Sequence, residues 1–381
     1  MKIIASAIVS LAAVALAHPL YGDHDIRNQQ QQLFDAREQS QIWPLPTADD
    51  GLFAGIGTFA HLPYEQCWKN TSVQYDIAFL GAPMDTSVSF RPGARFGPSG
   101  IREASRRTIL SGGYNVPMAV NPFMSWAKIV DCGDIFVTPF DNERAVSRIH
   151  QDYKALLDRT PATEHAGAFP RLITMGGDHT ITLPILRAIH AAYGPVSVIH
   201  FDSHLDTWSP YAPGEEEPNL NHGTYFYFAS EEGLIKKNES VHGGIRCPIF
   251  SPADYKQDFD LGFRIIEARD IDTIGVKGII DRIRKIVGNN PVYLSIDIDT
   301  LDPAYAPATG TPETGGWTTR EFRRIIRGLE GLKIVGADLV EVAPAYDTNA
   351  QLTTLAAADL LFDVLSLMVK APLKHLAPDH Q

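Results

Sequence analysis

The sequence predicts an α/β fold in which a mostly parallel β-sheet lies between two layers of helices. Apolar runs of strand length alternate with longer amphipathic segments along most of the 381-residue chain, and this alternation is typical of β-α-β units. The connections are short, so helices are expected to cover both faces of one sheet. Clusters of Asp and His follow three apolar runs, as expected where functional groups gather at the carboxyl ends of parallel strands.

The same patterns predict the individual elements. Apolar runs predict strands at residues 75–80, 128–131, 172–175, 196–201, 292–296 and 334–339. Amphipathic periodicity predicts helices at residues 99–110, 143–157, 181–193, 318–329 and 353–367.

Composition narrows the possible partners. The chain is long enough for one large domain or two small ones, and a hydrophobic fraction of 44% can build a sizeable core. The formal net charge of −12 argues against nucleic acid or an anionic membrane as a partner. A small cationic substrate is compatible with this charge.

The first residues have the pattern of a secretory signal peptide. Lys2 provides a positive charge, residues 3–16 form an apolar run, and Ala15-Leu16-Ala17 is an A-x-A cleavage site. We therefore predict a signal peptide at residues 1–17 and a secreted protein. A buried or amphipathic N-terminal helix is the alternative interpretation.

The rest of the chain is predicted to hold one domain without a membrane span. Residues 18–50 are polar and are predicted to form a poorly ordered extension before a single domain at residues 51–381. The N-terminal apolar run is shorter than the roughly 20 residues that a membrane span needs, and no later stretch qualifies.

Three cysteines, Cys67, Cys132 and Cys247, allow one disulfide and one free thiol. Their spacing leaves the pairing open. Asn70 and Asn238 begin Asn-x-Ser sequences, which are acceptors for N-glycosylation in a secreted chain.

Two segments that follow apolar runs carry residue types that bind metals. Gly176 and Gly177 permit a tight turn that places His179 at a helix start. A single histidine there usually has a structural role. The second segment reads Asp202-Ser203-His204-Leu205-Asp206, and alternation along an extended chain puts its two carboxylates and its imidazole on one side. A solvated turn is the alternative, but a strongly apolar run leads directly into this segment.

A third segment completes the cluster. Asp297 and Asp299 follow another apolar run and share a face, and like charges this close are unfavourable without a cation. The three segments offer two imidazoles and four carboxylates without sulfur, a donor set that suits Mn²⁺, Mg²⁺ or Fe²⁺. Six ligands exceed the needs of one tetrahedral centre, so the sequence predicts two ions that share carboxylates.

These segments resemble the signatures of the ureohydrolase family, which includes arginases and agmatinases. The resemblance extends from about Tyr75 to Leu367. It implies a three-layer α/β/α fold with a central, mainly parallel eight-stranded sheet, two Mn²⁺ ions per subunit and a homo-oligomer.

The resemblance also implies a role for each candidate ligand. One manganese would be held by His179, Asp202, Asp206 and Asp297, and the other by Asp202, His204, Asp297 and Asp299. Asp202 and Asp297 would then bridge the two ions. His200 matches no ligand of the family and is interpreted as a packed histidine behind the ligands.

Two further residues match the family's active site. His222 corresponds to a loop histidine that handles protons, and Glu341 corresponds to the carboxylate that pairs with the substrate guanidinium. These roles suit the chemistry, since a planar guanidinium calls for a carboxylate and a leaving amine needs a proton donor that titrates near neutral pH. A loop histidine and a strand-end salt bridge are the alternatives.

Within the family the sequence is most similar to agmatinases, through residues 89–105 and 341–347. Trp208 stands where arginases usually carry an Asn that holds the amino-acid head group, which disfavours free arginine. The loop at residues 207–221 contains Glu215, Glu216 and Glu217. We interpret it as a solvated loop, with attraction of a distal ammonium group as the alternative.

The sequence therefore predicts a hydrolase that releases urea from a guanidino compound, with agmatine first and 4-guanidinobutyrate or arginine as alternatives. A secreted protein that binds metal without catalysis, and a different metal-dependent amidohydrolase such as a deacetylase, are the competing hypotheses from other classes.

Overall fold

Eight parallel strands form one sheet in the computed structural model of this protein, which describes residues 53–211, 214 and 216–376. The strands are β1 (Ile77–Ala82), β2 (Ile129–Asp134), β3 (Arg171–Gly176), β4 (Ser197–Phe201), β5 (Ser240–Ile245), β6 (Phe263–Glu267), β7 (Pro291–Asp297) and β8 (Lys333–Val340). Their order is β2-β1-β3-β8-β7-β4-β5-β6. The predicted signal peptide and the whole of the predicted polar extension at residues 18–50, together with Glu215, lie outside the described residues.

Eight α-helices in the described part of the chain cover the sheet. They are α1 (Gly97–Ser105), α2 (Asn142–Leu157), α3 (Thr182–Tyr193), α4 (Tyr225–Glu231), α5 (Pro252–Leu261), α6 (Asp270–Val287), α7 (Thr319–Arg327) and α8 (Leu352–Lys370). Helices α2, α3, α4 and α5 pack side by side in one series, and α1, α8, α7 and α6 pack in another. These two series confirm the predicted three-layer architecture.

The central strands position the candidate site. Strands β3, β8, β7 and β4 are consecutive neighbours in the sheet, and their side chains are almost all buried. Because all the strands run parallel, the segments that follow these four strands meet at one edge. The sequence places His179, Glu341, Asp299 and Asp202 in those segments.

All six predicted strands and all five predicted helices are present, with ends shifted by a few residues. The sheet also contains β5 and β6, and α4, α5 and α6 were not predicted either. In β5 the polar and flexible run His242-Gly243-Gly244 hides the strand pattern, although every residue of β5 is buried. Neighbouring strands on both sides fix this segment, so tertiary context overrides its weak strand propensity.

One disulfide joins Cys67 to Cys132, which ties the segment before β1 to the edge strand β2. Cys247 is a buried free thiol. Among the described residues, only α8 is long and apolar enough to cross a membrane by length and composition. The helix packs against α1, α7 and β8, and 72% of its apolar 18-residue stretch is buried inside the protein. Helix α8 therefore serves as a core helix.

Candidate metal centre and active site

A tight turn after β3 brings His179 to the carboxyl edge of the sheet. A Cβ atom at Gly177 would lie 1.8 Å from the carbonyl oxygen of Met84, so only glycine fits there. The next residue, Asp178, accepts a hydrogen bond from the backbone N–H of Thr180 at 3.0 Å and caps the turn. His179 therefore begins the 3₁₀ turn that leads into α3, where it is 1% exposed.

Hydrogen bonds orient the His179 ring. Its Nε2 lies 2.8 Å from Oγ of Ser295, and the Ser295 hydroxyl donates to Oδ1 of Asp338 at 2.7 Å. Because the Ser295 hydroxyl donates to Asp338, its oxygen accepts the hydrogen bond from the His179 ring. The ring proton is therefore on Nε2, and a lone pair is left on Nδ1. Ser295 and Asp338 are directly opposite each other on β7 and β8, so the sheet register itself sets this arrangement.

Nδ1 of His179 faces three carboxylates. It lies 3.1 Å from Oδ2 of Asp202, 3.2 Å from Oδ2 of Asp206 and 3.4 Å from Oδ2 of Asp297. A lone pair and three carboxylate oxygens this close together favour a cation between them.

A second group of donors shares Asp202 with the first. Nδ1 of His204 lies 3.2 Å from Oδ1 of Asp202 and 3.1 Å from Oδ2 of Asp299. The other oxygen of the Asp202 carboxylate belongs to the His179 group. Asp202 therefore has one oxygen in each group, as the bridging role implied by the family resemblance requires.

Several ligand atoms of both groups are buried without a hydrogen bond to any described residue. These atoms are Nδ1 of His179, Oδ2 of Asp202 and Oδ2 of Asp299. Unpaired buried polar atoms are rare in native proteins. The two groups, His179 with His200, Asp202 and Asp206, and Asp202 with His204 and Asp299, have the composition and closeness of metal sites. Their oxygen and nitrogen donors fit a pair of hard or borderline divalent ions.

Two carboxylates in this cluster, those of Asp206 and Asp297, are destabilised in their charged form. Burial, and then the charge of Asp202, raise the pKa of Asp206 to about 6. Burial, followed by the charges of Asp299 and Asp202, raises the pKa of Asp297 well above its ordinary value. Asp206 also adopts a left-handed backbone conformation with φ of 56°, which is uncommon for a residue with a side chain and is concentrated at functional sites.

The structure brings His222 and Glu341 into contact beside the cluster. Nδ1 of His222 lies 3.0 Å from Oε1 of Glu341, and the same oxygen accepts a hydrogen bond from the backbone N–H of His179 at 2.9 Å. The other oxygen of Glu341 is buried and has no hydrogen bond to a described residue. Burial lowers the pKa of His222, but its hydrogen bond to Glu341 and the charge of that carboxylate raise the pKa to about 9 overall.

The segment before α1 contacts His222 and runs close to Glu341. Ser89 donates its backbone N–H to Nε2 of His222 at 3.0 Å, and its hydroxyl lies 2.7 Å from the same nitrogen. Two residues later, the backbone N–H of Arg91 donates to the carbonyl of Gly310 at 3.3 Å. A Cβ atom at Gly310 would lie 3.1 Å from Oε2 of Glu341, so the backbone at Arg91 runs close to this carboxylate.

Trp208 lies beside His204, and the backbone of Arg91 passes Gly310 and Glu341. The Trp208 ring is 6.2 Å from the ring of His204 between centroids, and its backbone N–H donates to Gly223 in the His222 loop at 3.1 Å. The Arg91 guanidinium lies over the rings of Phe90 and Tyr346, at 5.2 and 5.3 Å from their centroids. It forms no ion pair with a described residue. Glu216 and Glu217 are exposed.

Some residues around the site were missed by sequence reasoning. Five residues received no role, although each contacts a candidate ligand or active-site residue directly or through one or two neighbours. They are Ser295, Asp338, Ser89, His242 and Asp258. A single Asp within the apolar run of β8 was a usable signal for Asp338, because a buried carboxylate needs partners. The other four carry no local pattern.

Residues 75–366 match the model of the arginase family. The chain belongs to the arginase family. A Schizosaccharomyces pombe protein with a provisional agmatinase assignment is 56% identical over 96% of this chain and 94% of its own length. The guanidinobutyrase of Pseudomonas aeruginosa is 40% identical over 83% of this chain and 93% of that enzyme. Proclavaminate amidino hydrolase from Streptomyces clavuligerus has a similar structure, with a TM-score of 0.74, 36% identity and coverage of 84% and 99%.

Family membership confirms the predicted fold and enzyme class. This arginase-family protein is a hydrolase of amidine or guanidino compounds, and it contains a His/Asp cluster that could bind metal ions. The roles of the individual site residues and the identity of the metal stay predictions.

Proposed function

We propose that this arginase-family enzyme hydrolyses agmatine to putrescine and urea at a pair of Mn²⁺ ions. The observation that carries the proposal is the position of Glu341, whose buried Oε2 has no hydrogen bond to a described residue while its Oε1 contacts His222 beside the two groups of candidate ligands. A buried carboxylate oxygen without a partner suits a planar guanidinium.

His179, Asp202, Asp206 and Asp297 would hold one Mn²⁺ ion. Asp202, His204, Asp297 and Asp299 would hold the other. When bound, two such ions lower the pKa of water and supply a nucleophile near neutral pH. Mn²⁺ is proposed because carboxylate and imidazole donors without sulfur suit it.

The chain's own residues would bind the substrate and move protons. Glu341 would orient the guanidinium by accepting its N–H groups. Water oxygen then bonds to the guanidinium carbon, the bond between this carbon and the alkyl-substituted nitrogen breaks, and the departing amine gains a proton. His222 contacts Glu341 and is 11% exposed, which supports it as the proton donor at this position.

Trp208 favours agmatine over arginine. The Trp208 ring beside His204 supplies no amide for an α-carboxylate and offers at most its one indole N–H. Each hydrogen bond that a desolvated carboxylate lacks costs about 1–3 kcal/mol. The S. pombe relative, at 56% identity, supports the same choice. We expect agmatine to exceed arginine by roughly ten- to a hundredfold in kcat/KM, since each 1.36 kcal/mol is about tenfold.

A second candidate substrate is 4-guanidinobutyrate, which carries a carboxylate where agmatine carries an ammonium group. Arg91 favours this substrate for two reasons. Its guanidinium forms no ion pair with any described residue, and the backbone of Arg91 runs beside Gly310 and Glu341. The 40% identical guanidinobutyrase of P. aeruginosa supports the same alternative.

Urea release from agmatine, 4-guanidinobutyrate and arginine, by wild-type protein and by Arg91→Gln, distinguishes these candidates. If agmatine is the substrate, it should be the best of the three, and Arg91→Gln should preserve or increase its kcat/KM. A preference for 4-guanidinobutyrate that disappears in Arg91→Gln would establish the second candidate instead. Arg320→Gln, at an exposed position on α7, is the control and should leave the preference unchanged.

We also propose that the protein enters the secretory pathway. The signal-like residues 1–17 support this proposal, and so does the disulfide between Cys67 and Cys132, because disulfides persist mainly in oxidising compartments. Asn70 is exposed and could therefore be reached by the glycosylation machinery.

A further inference from the structure

One arginine joins the segments around the second group of candidate ligands. Arg246 directly follows β5, and its Nη2 donates to the carbonyl of Asp299 at 2.6 Å and to the carbonyl of Glu313 at 2.7 Å. Its guanidinium also donates to three further backbone carbonyls, at 3.2 to 3.3 Å, which are those of Gly244, Thr300 and Leu301. A guanidinium carries five N–H donors in a rigid plane. Backbone carbonyls from three separate segments accept from these donors.

The backbone of Arg246 holds the other ligand segment. Its N–H donates to the carbonyl of Ser203 at 3.0 Å, and Ser203 lies between the candidate ligands Asp202 and His204. The N–H of Ser203 in turn donates to Oδ1 of Asp299 at 3.0 Å. Arg246, Ser203 and Asp299 therefore close a ring of hydrogen bonds, which we call the Arg246 clamp.

The Arg246 clamp fixes the main chain on both sides of one pair of ligands. Oδ2 of Asp299 lies 3.1 Å from Nδ1 of His204, while Oδ1 of the same carboxylate accepts within the clamp. On the other side of the His204 ring, Nε2 lies 3.7 Å from Oε1 of Glu313, the residue whose carbonyl also accepts from Arg246. The hydrogen bonds of Arg246 thus converge on the His204 and Asp299 pair.

Glycines permit the close approach of these segments. A Cβ atom at Gly316 would lie 2.6 Å from Nη2 of Arg246 and 2.5 Å from the backbone nitrogen of Asp302. Gly244 has a φ of 107°, and a Cβ atom there would lie 3.0 Å from the carbonyl oxygen of Asp202. A side chain at either position would therefore push apart the segments that Arg246 joins.

We propose that Arg246 is a positioning residue for the second metal ion, because it holds Ser203 and Asp299 in the arrangement that keeps His204 and Asp299 together. A metal site needs its ligands held close to one geometry. Groups that orient metal ligands typically contribute about 10–100-fold in metal affinity or activity. The inference rests on the proposed metal centre.

Mn²⁺ binding to the full-length protein tests this role without reference to turnover. Arg246→Lys keeps the charge but loses the planar fork that joins the segments, and Arg246→Gln loses the charge. Equilibrium dialysis of metal-free protein against Mn²⁺ should show that both variants bind one ion about 10–100-fold more weakly than wild-type protein does, and the other ion with little change. At the Mn²⁺ concentration that just loads wild-type protein with two ions, each variant should therefore retain about one.

Arg171→Lys is the matched control. Arg171 is 0% exposed and donates to the carbonyl of Ala371 at 3.1 Å, but it begins β3, at the opposite end of this strand from His179. Loss of this buried arginine should lower the stability of the protein and leave the affinity for both ions unchanged. Unfolding curves show which variants are folded, and either folded Arg246 variant decides the question.

Hydrogen exchange of metal-free protein provides a second measurement. The backbone amides of residues 297–303 should exchange faster in the Arg246 variants than in wild-type protein, and should be unchanged in Arg171→Lys. Both ions bound as tightly by a folded Arg246 variant as by wild-type protein, or both ions weakened equally, would overturn the inference. Wild-type protein that binds no Mn²⁺ would overturn the proposed metal centre and this inference together, whereas tight wild-type binding of two ions without urea release would contradict only the proposed reaction.

Discussion

Nδ1 of His222 lies 3.0 Å from Oε1 of Glu341, which joins the loop between β4 and α4 to the end of β8. The backbone N–H of Ser89 donates to the other ring nitrogen of His222, so the neutral form of the ring carries its proton on Nδ1, which faces Glu341. Glu341 keeps its second oxygen buried and without a hydrogen bond to a described residue. This oxygen is the atom that we expect the guanidinium to meet.

Replacing Glu341 by Gln should reduce the hydrolysis of every guanidino substrate and leave the order of preference unchanged. Hydrogen bonds to a charged group contribute about 1.5–3 kcal/mol, which corresponds to about a ten- to hundredfold loss of kcat/KM. Initial rates of urea release for each substrate give the measurement. Glu143→Gln, an exposed carboxylate on α2, is the control, and a loss confined to one substrate would contradict the role of Glu341.

Replacing His222 by Asn should lower kcat more than it raises KM. Proton transfer by a positioned side chain contributes about 10²–10⁴-fold to a rate, whereas substrate binding depends mainly on Glu341. Steady-state kinetics with agmatine separate the two parameters. Ser89→Ala removes one contact to the His222 ring and should have a smaller effect. A loss in His222→Asn that appears only in KM would exclude the proton-donor role.

Asp202→Asn should disturb metal binding more than His179→Asn, because Asp202 has one oxygen in each group of candidate ligands. We expect Asp202→Asn to weaken the binding of both ions and His179→Asn to weaken mainly one. The number of Mn²⁺ ions retained after dialysis provides the comparison. Unfolding curves of both variants show whether each one is folded. Two ions retained in Asp202→Asn would contradict the bridging assignment.

The fold was predictable where local pattern and tertiary environment agree. Strands such as β3 and β7 are continuous apolar runs because both of their faces are covered by helices. Strand β5 has the same environment, but His242 and two glycines replace the expected apolar residues. Its place in the sheet depends on neighbours that are distant in sequence, and this information is absent from a local window.

The candidate ligands were predictable because three short segments carry them and each segment follows an apolar run. The residues that orient those ligands were not predictable in the same way. Ser295 and Asp338 meet only through the register of β7 and β8, and His242 meets His200 only through the pairing of β4 and β5. Arg91 illustrates the same limit, since only the path of the backbone past Gly310 brings it near Glu341.

The disulfide should stabilise the protein substantially. Cys132→Ser removes a cross-link between cysteines 65 residues apart, and the loss of a disulfide typically costs about 2–4 kcal/mol of unfolding free energy. Denaturant unfolding under oxidising conditions should show this loss, with Cys247→Ser, a buried free thiol, as the control. Equal stability of Cys132→Ser and wild-type protein would show that the bond is absent from the native protein.

Export predicts a processed N-terminus. N-terminal sequencing of natively secreted protein should begin at His18 or at a later residue, because the A-x-A site ends at Ala17. Secreted protein that still begins at Met1 would contradict the signal peptide.

Urea release from agmatine as a function of bound Mn²⁺ tests the metal-dependent reaction most directly. Metal-free protein should release no urea, and activity should return as about two equivalents of Mn²⁺ bind, with one putrescine formed for each urea. Full activity in demonstrably metal-free protein would contradict the account. So would the absence of urea release from any guanidino substrate by protein that has bound two Mn²⁺ ions.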